Sequence, residues 1–157
     1  MQVEEITEAA AYLKASGSPK VGVTGFCMGG ALCMGALSAS KDLTCGAPFY
    51  GVNFGLIDMA ALVDKPVQGH FGALDNLDGF SDAATGQKLE AELIAAGHKD
   101  AKVFIYDNVG HAFMNDNPTP WESFEARTAA QGFPPYDASQ AQLAWERLFS
   151  FFDAHLK

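Results

Sequence analysis

Apolar positions at Ile6, Ala9, Ala10 and Leu13 recur at three- and four-residue intervals and predict a helix over residues 4–16. Gly17, Ser18 and Pro19 end it. Residues 20–24 are short and rich in β-branched side chains, the pattern of a buried strand. Residues 25–30 read as a tight glycine turn, and the small apolar residues of 29–39 as a closely packed helix. A second strand is expected over 43–50, with Gly46 and Pro48 weighing against it. A third is expected over 66–71. A helix over 81–96 follows, with Gly97 at its C-terminal side. Residues 101–106 form a fourth strand. Residues 138–156 form a last amphipathic helix with Ala141, Ala144, Trp145, Leu148 and Phe152 on one stripe.

Apolar strands alternating with helices imply an α/β fold of three layers: a mostly parallel sheet of about four strands with helices on its faces. The 157 residues suit one domain spanning residues 1–157. The stretch 115–136 carries Pro118, Pro120, Pro134 and Pro135 and reads as a long irregular loop bordering a site. Its aromatic residues, Trp121, Phe124, Phe133 and Tyr136, either line an apolar pocket or pin the loop to the body.

The charge of −9, without a basic stripe, argues against nucleic acid as a partner and for solubility. No apolar run approaches the ~20 residues of a membrane span, and the acidic start does not resemble a secretory signal. Three cysteines, an odd number without paired spacing, argue against a disulfide framework or a structural zinc site and for the cytoplasm.

The chemistry is concentrated at Gly25-Phe26-Cys27-Met28-Gly29, a Gly-x-nucleophile-x-Gly pattern between a strand and a helix. A sharp turn there exposes the nucleophile, and small neighbours let the backbones approach. The helix N-terminus favours a Cys27 thiolate, and the Met28 N–H is placed to hold an oxyanion. The rival reading is a buried cysteine in a glycine-rich turn.

Of four histidines, His111 follows the fourth strand behind Gly110, at the sheet edge where open α/β proteins bind ligands. His70 is expected in the core, His98 on the surface and His155 on a solvated helix face. Asp75, the first acid after the third strand, is the candidate partner of His111, with Asp78 as its rival. The order nucleophile, acid, base is that of the α/β-hydrolases. Cys33 and Cys45 read as packing. Phe26, Tyr50, Phe113 and Trp121 are expected to line the substrate pocket.

The segments Val21–Gly30, Phe49-Tyr50-Gly51, His70–Asp75, Tyr106–Phe113 and Tyr136-Asp137-Ala138, with Ala144-Trp145 and Phe151-Phe152, resemble the dienelactone hydrolase family, the carboxymethylenebutenolidase-like α/β-hydrolases. The resemblance implies a Cys27–Asp75–His111 triad and hydrolysis of small carboxylic esters or lactones through a thioester, with no metal or organic cofactor. Members of that family carry strands upstream of the helix that begins here near Glu4. Those strands supply a glutamate and a second oxyanion donor, and neither maps onto a residue of this chain. An arginine that follows the family's catalytic histidine is replaced in that vicinity by Asn115. Without upstream neighbours, residues 20–24 are expected to form a sheet edge covered in a homodimer. A weakly active or inactive binding domain and a subunit completed by another chain remain as alternatives.

Overall fold

The computed structural model describes residues 2–157. Its elements in order are α1 (Gln2–Ala15), β1 (Gly22–Phe26), α2 (Met28–Ala39), β2 (Cys45–Phe49), β3 (Val67–Gly72), α3 (Ala83–Ala95), β4 (Ala101–Tyr106), α4 (Phe124–Gln131) and α5 (Ala138–Leu156). Two single 3-10 turns, Phe54–Leu56 and Met59–Leu62, join β2 to β3.

The strands form one parallel sheet in the order β1-β2-β3-β4. α2 and α3 lie on one face of it. There Met34, Leu37, Val67, Phe71, Leu89, Leu93 and Val103 make one apolar core, with Ala10 of α1 reaching it. The chain then returns as α5 over the other face, where Cys45, Ala47, Phe49 and Tyr106 pack against Ala144, Leu148 and Phe151. Alternate residues of β4 serve the two cores: Val103 and Ile105 face α3, while Phe104 and Tyr106 face α5. This is the expected three-layer α/β arrangement.

Several sequence expectations shift. The first strand lies at Gly22–Phe26 rather than 20–24, because its register with β2 runs from Gly22 opposite Cys45 to Phe26 opposite Phe49. The stretch 115–136 is not wholly irregular. Ser123 caps α4 by accepting from the Ala126 N–H, and Gly132 ends it in the left-handed region at φ 78°. His98 is buried rather than on the surface: Asp100 N–H donates to its Nδ1 at 3.0 Å, leaving Nε2 to donate to the Lys65 carbonyl at 2.6 Å. His155 is not freely solvated either, since its ring packs on Phe151 at 4.7 Å and its Nε2 lies 3.5 Å from Asp100. On α5, Phe151 takes the buried position and Trp145 stays partly exposed, beside β1 and β2.

Cys33 and Cys45 are buried, and burial pushes their thiols up to about 12 and about 11. Neither is a thiolate near neutrality. His70 lies fully buried on β3, stacked 4.1 Å from the Phe49 ring, with the Tyr106 hydroxyl 2.7 Å from Nδ1. Burial, aided by Arg147, holds its pKa down to about 3, so the ring is neutral near pH 7. Among the described residues no helix is long and apolar enough to cross a membrane.

Candidate active site

The C-terminal edge of the sheet gathers one group from the end of each strand. Cys27 follows β1, Tyr50 follows β2, Asp75 lies just past β3, and His111 lies in the loop after β4.

Cys27 joins β1 directly to α2. Its backbone stands at φ 56°, ψ −120°, a strained conformation for a non-glycine residue. Its N–H donates to the Phe49 carbonyl at 3.0 Å, and its own carbonyl accepts from Gly30 and Ala31 in the first turn of α2. The turn closes tightly enough that a Cβ on Gly25 would lie 2.0 Å from the Gly29 carbonyl oxygen. Met28 opens α2, where backbone N–H groups have no acceptor within the helix.

β4 is the strand farthest from β1, so the loop after it must lean back across the sheet to bring His111 to Cys27. The Val109 carbonyl accepts from Leu74 N–H at 2.9 Å and fixes this crossing. A side chain at position 72 would obstruct it, since a Cβ there would meet the Val109 oxygen at 2.6 Å.

His111 Nε2 then lies 3.1 Å from Cys27 Sγ, and its Nδ1 lies 2.8 Å from Asp75 Oδ2. The other Asp75 oxygen accepts from Leu77 N–H at 3.1 Å. A carboxylate only accepts, so Nδ1 carries the ring proton and Nε2 faces the thiol as a base. The structure thus brings Cys27, His111 and Asp75 into one hydrogen-bonded chain. The Asp75 and His111 side chains are shielded from solvent, while Cys27 stays accessible.

Tyr50 packs edge-on against His111, with ring centroids 5.2 Å apart, and burial pushes its phenol well above the usual range. Phe133 closes another side of the imidazole at 6.0 Å. Behind it, the Arg127 guanidinium lies over the rings of Phe124 and Phe133. Arg127 is the buried residue of α4, and it docks that helix on the site.

A cavity of about 370 Å³ opens over the thiol, lined by Phe26, Cys27, Tyr50, Ala112, Met114, Asn115 and Trp145. Two pocket expectations therefore change. Phe113 is buried behind Tyr50 and does not line the cavity, and Trp121 lies outside its lining. Trp145 lines it instead. Its helical spacing matched the core stripe of α5, so nothing in the sequence marked it as a pocket residue.

Ser81 was also invisible in the sequence: it is fully buried with its hydroxyl 3.1 Å from His111 Nδ1. Asp78, the rival acid, has no contact with His111 among those of the described residues. No cluster of three or more His, Cys, Asp or Glu suited to a metal occurs among the described residues.

The chain is similar to known proteins in sequence and fold. The chain is 32% identical over 139 residues to a protein named usf from Aquifex pyrophilus, covering 87% of this chain and 52% of that protein. It is 28% identical over 162 residues to a candidate carboxymethylenebutenolidase from Methylorubrum extorquens, covering 96% of this chain and 49% of the relative. The chain spans about half the length of the curated relatives it matches.

Among solved structures, a dienelactone hydrolase-like promiscuous phosphotriesterase from metagenomic libraries superposes with a TM-score of 0.74 at 23% identity, over 99% of this chain and 62% of that one. An esterase from Pyrococcus furiosus superposes with a TM-score of 0.67 at 14% identity, over 99% and 62%. At these identities the likeness establishes the α/β-hydrolase-like fold. The profile of the dienelactone hydrolase family matches residues 2–156, and the chain belongs to that family.

Proposed function

We propose that this chain hydrolyses esters or lactones of small carboxylic compounds with Cys27 as nucleophile, His111 as general base and acid, and Asp75 as the group that orients the imidazole. The observation that carries this reading is the 3.1 Å contact from Cys27 Sγ to His111 Nε2, continued at 2.8 Å to Asp75.

In the acylation step His111 takes the thiol proton as Sγ bonds to the substrate carbonyl carbon. The Met28 N–H, at the open end of α2, faces the oxyanion. As the carbon–oxygen bond to the leaving group breaks, His111 returns the proton to that oxygen. A thioester remains on Cys27. A water molecule, deprotonated by His111, then attacks the thioester, and the thiol and carboxylic acid are released. Every proton in this cycle is carried by Cys27, His111, water or the substrate. The apolar cavity over the thiol suits a small uncharged acyl or aryl group.

The experiment is turnover of p-nitrophenyl acetate by the wild type, Cys27→Ala and His111→Ala, with alkylation of Cys27 by iodoacetamide in parallel. Turnover lost in both variants is expected, together with alkylation of Cys27 at neutral pH faster than that of a free thiol. Turnover that survives Cys27→Ala, or a Cys27 no more reactive than a free thiol, overturns the reading.

We also propose that the protein works in the cytoplasm, which suits its free cysteines, and pairs with a second copy along β1. Among the described residues β1 pairs with no strand other than β2. Tyr12 and Leu13 of α1 and Phe149 of α5 are exposed apolar residues on the helices flanking that edge. An unpaired apolar edge is a template for strand addition. Light scattering after size exclusion should give the mass of a dimer, and a monomer across concentrations refutes the pairing.

A further inference from the structure

His111 Nδ1 has two oxygen neighbours: Asp75 Oδ2 at 2.8 Å and Ser81 Oγ at 3.1 Å. Ser81 is fully buried, and its hydroxyl oxygen faces Nδ1. One short turn sets both oxygens. Leu77 N–H donates to Asp75 Oδ1, and the Leu77 carbonyl accepts from the N–H groups of Phe80, Ser81 and Asp82. Asp82 then caps α3 by accepting from Thr85 N–H. The acid and the serine are therefore fixed relative to each other by backbone hydrogen bonds.

We propose, building on the hydrolase reading, that Ser81 is a positioning residue of the catalytic histidine, its oxygen accepting the second branch of a three-centre bond from Nδ1–H. Two consequences follow from the geometry. A single acceptor leaves the imidazole free to tilt about that bond, and a second acceptor on the same N–H restricts the tilt and keeps Nε2 on Cys27 Sγ. A hydroxyl lone pair aimed at Nδ1–H also favours the imidazolium, the form His111 takes each time it removes a proton from Cys27 or water. The other groups facing the ring are the Cys27 thiol at Nε2, the Asp75 carboxylate at Nδ1, the Tyr50 phenol on its edge and Phe133, behind which lies Arg127.

The test is the titration of the His111 imidazole nitrogens by NMR, run in a Cys27→Ala background so that the thiol does not couple to it. Ser81→Ala is expected to move the midpoint down, because the imidazolium loses an acceptor at Nδ1–H. In the protein with Cys27 intact, the same substitution should lower kcat for p-nitrophenyl acetate about tenfold and leave KM unchanged. Ser81→Cys keeps the shape with a weak acceptor, and it decides the question if Ser81→Ala does not fold. It should show the same direction of shift.

A His111 midpoint that Ser81→Ala leaves unchanged in a folded protein of the Cys27→Ala background overturns the proposal. The NMR reading is independent of turnover. A shifted midpoint in a protein that hydrolyses nothing therefore supports the role of Ser81 and rejects the hydrolase reading alone.

Discussion

Gly51 stands against Cys27 so closely that a Cβ on it would lie 2.0 Å from the Cys27 carbonyl oxygen. The two nearest atoms are backbone, held by the first turn of α2, so they have no rotamer with which to yield. Gly51→Ala should therefore displace the elbow. The expected cost is about 1–3 kcal/mol of stability, with kcat falling further than stability accounts for. Gly29→Ala is the internal comparison, since nothing lies within 4 Å of its added methyl. It should be neutral or stabilise α2 by about 1 kcal/mol. Chemical denaturation and ester turnover of the two variants check the contrast.

Asp75→Asn should preserve the fold and lose activity. The amide nitrogen would donate to His111 Nδ1 and move the ring proton to Nε2, turning the base away from the thiol. A fall in kcat of about 10²–10⁴-fold with little change in KM is expected. A loss confined to KM would mean that Asp75 contacts substrate instead.

Trp145, not Trp121, walls the cavity. Its ring lies 5.9 Å from Phe26 and stacks 5.7 Å from Phe149. Trp145→Ala should raise KM for aryl esters more than for methyl esters, while Trp121→Ala should leave both unchanged. Steady-state kinetics over a short ester series reads this directly.

Acid should weaken the fold through His70. Burial lowers its pKa in the folded state to about 3, against an unfolded value of about 6.5. Below pH 6.5 the unfolded chain takes up a proton that the folded one refuses. Stability present above that pH is lost as the pH falls towards 3, by at most about 1.4 kcal/mol per pH unit. His70→Phe keeps a flat ring against Phe49 and removes this proton. The slope of unfolding free energy against pH should be shallower in the variant between pH 6 and 4.

The sequence by itself determined the parallel α/β layering and the order of the three chemistry-bearing residues. Hydrophobic period, glycine placement and the elbow pattern are local properties, and they place Cys27, Asp75 and His111 at the ends of strands. It missed α4, whose capping signals at Ser123 and Gly132 are masked by the prolines around them. It also misplaced His98, because burial there is decided by the Lys65 carbonyl, remote in sequence.

Only the tertiary structure decided which side chains share the site. The loop after β4 crosses the sheet because β1 and β4 lie at opposite edges, a fact of strand order that no local pattern carries. The same crossing brings Ser81 to His111 across 30 residues and leaves Trp145, rather than Trp121, facing the thiol. Local sequence sets the turns that present each group. The long-range packing of α3 and α5 against the sheet sets the distances between them, and those distances are what the proposed chemistry depends on.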